Sequence, residues 1–234
     1  MSEEQFPTYE SPDVSVSTSP RPFGEIPGLW LKITQMTEQF FAQEAPRASG
    51  SNTLISVVIL AVLSAVLSAL SSLIGGGLQA ALLPPEYRDM AAAGLGGSVV
   101  CAICSGLIGT ALGFYIGNGL TYLGARVLGG DGDFGTQTYL QSLFAVPIGI
   151  VSAVAGLVPV VGAIAVLALA VYAFILNVRL FKVIHNLTSG KAVAAIILPG
   201  LAVAVVVACL MIVILIVLGP AIGNVFSDIV NNIQ

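Results

Sequence analysis

The chain has 234 residues, of which 56% are hydrophobic and 9% charged, with a mean hydropathy of +0.98 and a formal net charge of −4. A soluble domain carries about 25% charged residues, so this composition excludes a water-soluble globule. The acidic balance argues against nucleic acid as a partner, because phosphate backbones select basic surfaces.

Residues 1–26 hold five acidic side chains against Arg21, with Pro7, Pro12, Pro20 and Pro22 set among serines and threonines. Such a segment buries too little apolar surface to fold alone, and a solvated, disordered tail is expected. It lacks the basic start and apolar core of a signal peptide. Next comes "PGLWLKITQMTEQFFAQEAP", with Leu29, Trp30, Ile33, Met36, Phe40 and Phe41 at three- and four-residue intervals. That period predicts an amphipathic helix over 27–43, lying in the headgroup layer with Trp30, Phe40 and Phe41 as interfacial anchors. The alternative is a helix packed on the cytoplasmic loops.

Four stretches contain no Asp, Glu, Lys or Arg: 48–85, 90–125, 134–178 and 192–227. A membrane crossing takes about 20 mostly apolar residues. The third stretch is too long for one crossing and is divided at the turn-like "GLVPVVG" of 156–162. Five transmembrane helices result, at 53–77, 92–122, 138–157, 160–184 and 192–218, within a domain of 53–218 and before a short tail of 219–234. The expected fold is an all-α, polytopic five-helix bundle. With the N-terminus inside, the inner segments hold Arg21, Lys32, Arg47, Arg126, Arg179, Lys182 and Lys191, and the outer ones hold Arg88. Retention of cations on the cytoplasmic side then places the N-terminus in the cytoplasm and the C-terminus outside.

Small residues at helical spacing point to close packing of the first two spans. Ser64, Ser68 and Ser72 form one line on the first span, Ala61, Ala65 and Ala69 another, and Gly109, Gly113 and Gly117 recur on the second. Between them, Pro84 and Pro85 stop the first helix. "CAIC" at 101–104 has the spacing of a redox pair, but the remaining cysteine, Cys209, stands alone. Packing of these thiols as small apolar groups is expected.

The loop Gly129-Gly130-Asp131-Gly132-Asp133-Phe134 carries two carboxylates, yet the sixth position of a calcium nonapeptide repeat is here Phe134 and the twelfth of an EF-hand loop is Ser142. A turn is expected, with Asp133 or Thr136 capping the next helix. After the fourth span, Arg179, Lys182 and His185 form a basic end that suits both the helix dipole and anionic lipid. "TSGKA" at 188–192, with Lys191, lacks the first glycine of a phosphate loop. The loops around Gly129–Phe134 and Arg179–Lys191 are therefore candidate cytoplasmic interaction surfaces. No predicted span has an ionisable side chain at its centre, and no nucleophile–base pair is visible. Neither catalytic residues, nor a metal site, nor a cofactor is expected. Transport would have to rely on groups such as Thr110, Tyr115 and Asn118.

The "WLKITQMTEQFF" lead-in, "VLGGDGDFGTQTYLQSLFAVP", "GLVPVVG" and "VYAFILNVRLFKVIHNLTSGKAVAAII" together resemble the Yip family of Rab-interacting, five-span membrane proteins. The resemblance runs from about Trp30 to Gly200 and implies the same five-helix architecture, a cytoplasmic N-terminus and a turn at the glycine–aspartate loop. Eukaryotic members bind prenylated small GTPases in vesicle traffic, which would place the chain in ER or Golgi membranes. Their Asp-Leu-Tyr-Gly-Pro signature is missing here, which counts against a small GTPase partner and points to the broad prokaryotic-type branch in the plasma membrane. The expected role is a non-enzymatic scaffold, adaptor or accessory subunit, in contact with the bilayer and with a membrane-protein partner or further copies of itself. A small-solute or ion transporter is the alternative.

Overall fold

A computed structural model of the chain describes residues 19–158 and 160–233. Two short helices come first, α1 (Ile26–Trp30) and α2 (Glu38–Glu44), each flanked by 3-10 turns. Then follow α3 (Gly50–Leu82), α4 (Pro85–Cys104), α5 (Thr110–Val127), α6 (Phe134–Ala155), α7 (Val161–Ile184) and α8 (Ser189–Ile233). A π-turn at Ser105–Gly109 fuses α4 and α5 into one span, and no strand occurs among the described residues. Five helices are long and apolar enough to cross a membrane: α3, α4–α5, α6, α7 and α8 as far as Pro220. This is an all-α, multi-pass membrane protein.

Each boundary has a local cause. Leu83 leaves α3 in an extended conformation, and Pro85 starts α4 at a position where its missing N–H costs nothing. The third charge-free stretch divides at Gly156–Val160, while Pro147 stays inside α6. The last helix does not stop at 218: it runs through Pro220 to Ile233, so the expected C-terminal tail is helical as far as it is described.

Short connections make consecutive spans antiparallel. The starts of α3, α6 and α8 and the ends of α5 and α7 therefore share one end, called here the polar end. The α3–α4 and α6–α7 turns lie at the far end. The best-packed core sits at the polar end, where Ile26, Leu29, Met36 and Phe41 pack with Tyr139, Leu140, Leu143, Phe144, Leu176, Leu180 and Phe181. The rings of Phe41 and Phe144 meet edge-on at 6.3 Å. Full burial of one such side chain contributes about 1.5–3 kcal/mol, and Ile26, Met36 and Phe41 are all fully buried.

Three expectations for the N-terminal region change here. The single helix over 27–43 is broken, because the chain turns at Leu31–Lys32 and again at Thr37, whose hydroxyl caps α2 by accepting from the Phe40 N–H. Phe41 is core rather than interfacial anchor, while Trp30 and Phe40 are half-buried against that core. Residues 19–25, expected to belong to the tail, are part of the folded unit; the expectation for residues 1–18 lies outside the described residues.

Packing of the first two spans uses Ala61 and Ala65 as expected, but not the expected glycines. A Cβ at Gly109, Gly113 or Gly117 would meet nothing within 4 Å, whereas one at Gly106 would strike the Ala65 backbone, with its N at 2.6 Å. The π-turn brings Gly106 to that crossing, and Ala61 and Ala65 are buried there. Ser64, Ser68 and Ser72 are half-buried and line a groove with Ala153 and Gly156 of α6 and its end. Cys101, Cys104 and Cys209 are exposed on the spans instead of packed inside.

Candidate interaction surface at the polar end

The glycine–aspartate loop is built from two helix caps. Gly129 takes a φ of 90°, the left-handed conformation that glycine adopts without a steric cost. Its N–H donates to the Arg126 carbonyl at 3.1 Å and the Gly130 N–H to Ala125 at 2.8 Å, the pair of bonds that closes a helix C-terminus. Asp133 then caps α6, its Oδ2 accepting from the Thr136 N–H at 2.8 Å and from the Thr136 hydroxyl at 3.2 Å. Asp131 accepts from the Asn186 amide at 3.0 and 3.2 Å, which ties this loop to the α7–α8 connection. Lys191 adds a second tie by donating to the Leu128 carbonyl at 3.0 Å. Phe134 packs edge-on against Tyr122 at 5.5 Å. The two loops picked out in the sequence are thus one joined surface, with both carboxylates already engaged by the protein.

His185 is not on that surface. It is fully buried beneath it, and a Cβ at Gly132 would lie 2.8 Å from its Nδ1. Its Nε2 lies 2.8 Å from Gln137 Oε1, while Gln137 Nε2 donates to the Asn118 carbonyl at 3.1 Å and lies 3.3 Å from the Thr121 hydroxyl. The amide orientation makes His185 Nε2 the donor and leaves Nδ1 as a bare, unpartnered acceptor. Burial first, then the Arg126 guanidinium, hold the imidazole below its ordinary pKa against the opposing pull of Asp131. The ring is therefore neutral near neutral pH, and the expected basic end of α7 consists of Arg179 and Lys182.

Those two cations face the N-terminal segment. Arg179 donates to the Met36 carbonyl at 3.3 Å, and Lys182 pairs with Glu38 at 2.5 Å. A deeper latch lies beside them. Glu44, only 3% exposed, receives two bonds from Arg21, at 2.7 and 2.6 Å, and one from the Tyr139 hydroxyl at 2.8 Å. Arg21 also pairs with Glu25 at 2.6 Å, and the Arg21 carbonyl accepts from Asn52 at 2.6 Å. The hydrogen bonds to Glu44 raise the guanidinium pKa further above its already high value. A buried carboxylate without such partners would be costly; here its oxygens are filled.

This latch escaped the sequence reading, although traces of it were present. Glu44 follows Phe40 and Phe41 at helical spacing and so stands on the apolar face of α2. Gln137 and Gln141 stand four apart at the start of an apolar span. Both patterns mark buried polar groups that need partners. Among the described residues no three His, Cys, Asp or Glu side chains gather into a metal-binding cluster.

The spans, their turns and α2 coincide with one known domain: the Yip1 domain matches residues 36–225. The chain belongs to the Yip1 family. Its members are membrane proteins, generally without enzymatic activity, that sit in contact with the lipid bilayer. The Yip1 match begins at Met36, so α1 and Arg21 of the latch lie before it. No curated protein and no solved structure is similar enough to match.

Proposed function

We propose that this Yip1-family protein is a non-enzymatic scaffold or adaptor that recruits a membrane-protein partner to the polar end of its bundle. One observation carries the reading: Lys182–Glu38 and Arg179–Met36 join the N-terminal segment to the end of α7, Asp131–Asn186 and Lys191–Leu128 join the two loops, and the latch fixes the segment on α6, which together make a pre-organised surface. Glu38, Gln39, Ala42 and Gln43 present the exposed side of α2 while Phe41 and Glu44 anchor it. Pre-organisation lowers the entropy cost of binding a partner. Seven cations at this end, against Arg88 at the other, support a cytoplasmic polar end; the plasma membrane is the location proposed with it.

Deleting 27–43 would remove core residues, so the test uses the exposed face alone. The full chain, purified from its native membrane, is expected to bring one partner in near-equal amount. The double variant Ala42→Arg, Gln43→Arg is expected to lose that partner while staying monodisperse. Equal recovery by the variant, or no partner with the native chain, would sink the recruitment role.

A second reading rests on the far half of the bundle. Ser64, Ser68, Ser71, Ser72, Gln79 and Ser98 line two adjoining grooves of about 470 and 540 Å³. Polar lining at membrane depth marks solute pathways, so this transporter reading expects flux into liposomes that Ser71→Leu abolishes.

A further inference from the structure

The N-terminal segment does not lie flat across the polar end. It climbs along α7: Lys182 holds Glu38, Arg179 holds the Met36 carbonyl, and the Tyr172 hydroxyl donates to the Ile33 carbonyl at 2.9 Å. At 1.5 Å per residue, Tyr172 lies about 18 Å along α7 from Ile184 and about 10 Å beyond Arg179. On α6 the buried polar side chains Gln137, Thr138, Gln141 and Ser142 likewise all precede Pro147. The tip of the segment, residues 31–35, therefore stands level with the apolar section of two membrane spans. Leu31, at this tip, is 88% exposed, which water would oppose and lipid would favour.

Behind the tip is a cleft of about 300 Å³ lined by Ile33, Thr34, Pro147, Ile148, Val151, Leu169 and Tyr172. It exposes no polar atom to the cavity. At this height the surrounding solvent is hydrocarbon, so the occupant has to be apolar and delivered from the leaflet. Lys32 stands beside the cleft, exposed and outside every ion pair among the described residues. A lysine at that depth extends its stem along apolar surface and returns its ammonium to the headgroups.

We propose that residues 31–35 are a wedge inserted into the leaflet at the polar end, and that the cleft behind it binds an acyl chain of an anionic phospholipid. Lys32 meets the headgroup, and Tyr172 fixes the wedge through Ile33. The site depends on the membrane-spanning fold and not on the recruitment reading, since no protein partner enters it.

The full chain, in vesicles of phosphatidylcholine and phosphatidylglycerol, offers two readouts. Trp30 is the single tryptophan and immediately precedes the wedge, so its fluorescence reports how deep the segment enters the leaflet there. Phospholipids brominated along the acyl chain are expected to quench it more strongly than aqueous iodide does; the reverse order would overturn the wedge. Phosphatidylglycerol carrying a diazirine on its acyl chain is expected to label 147–151 and Leu169 roughly tenfold more than the lipid-exposed stretch 203–216 of α8, as about 1.4 kcal/mol of preference would give. Val151→Phe, or Leu169→Phe from the opposite wall, is expected to remove that enrichment, and Lys32→Gln to remove the preference for phosphatidylglycerol over phosphatidylcholine. Even labelling of the cleft and of α8 would show bulk lipid only and overturn the site.

Discussion

The two ends of the bundle are held by different means. At the polar end, Gln137 through Phe144 are buried without a break, and Ile26, Met36 and Phe41 pack against them. The far parts of α3, α4 and α8 are largely exposed, from Leu78 and Leu82 to Leu201–Leu218. The polar end is folded as a soluble protein is, with an apolar core and partnered charges. The far end holds helices that meet at a few small residues and otherwise face lipid. Burying apolar surface drives packing only where the alternative is water. The lesson is that, among the described residues, the N-terminal segment together with the polar ends of the spans builds a conventional core.

The largest test of this contrast removes the latch. Glu44→Ala leaves Arg21 and the Tyr139 hydroxyl without their shared partner and is expected to cost about 3 kcal/mol, the range for breaking a buried pair. Thermal unfolding in detergent, with protease cleavage of the N-terminal segment as a second readout, checks it. Ser68→Ala at the far end is expected to change neither. A smaller effect separates the two glycine sets. Gly106→Leu forces side-chain atoms into the Ala65 backbone and is expected to cost about 1–3 kcal/mol. Gly113→Leu enters open space and is expected to change stability little; equal losses in the same thermal assay would show that both glycines pack on a neighbour.

The smallest expected effect is a pH dependence confined to the polar end. His185 has a lowered pKa in the fold, so the unfolded chain binds more protons once pH falls below about 6.5. Its contribution is full above that value and is lost as pH drops toward the folded pKa. The melting temperature is expected to fall between pH 7.5 and 5.5, and His185→Gln is expected to flatten that part of the profile. The facing groups are Gln137 on α6, Tyr122 and Arg126 on α5, Phe181 on α7 and Asp131 in the loop. An unchanged slope in the variant would show that His185 does not carry the dependence.

Much of this molecule is legible in its sequence, for reasons that differ by element. Charge-free stretches located all five spans, because a charged side chain in hydrocarbon is expensive whatever the helix packs against. A cap at Asp133 or Thr136 and a turn at Gly129 were readable because both act within a few residues of themselves, and the structure selects Asp133 as the cap. Gly109, Gly113 and Gly117 misled because spacing shows that a close approach is allowed, not that a neighbour is present. Gly106 came to the crossing through a π-turn that no local pattern announces. His185 looked like one more cation until Gln137, far away in sequence, proved to be its partner.

By itself, then, the sequence determined the class, the number of spans and the turns, since these depend on transfer to lipid and on short-range backbone geometry; the family rested on motif resemblance and the Yip1 match. Only the tertiary structure decided which residues form the core, that Glu44 joins Arg21 to Tyr139 over a sequence separation of 95 residues on its longer arm, and that the lead-in climbs beside α7 instead of lying across it. Those outcomes rest on partners distant along the chain, and a polar group looking for a partner records in the sequence only its need.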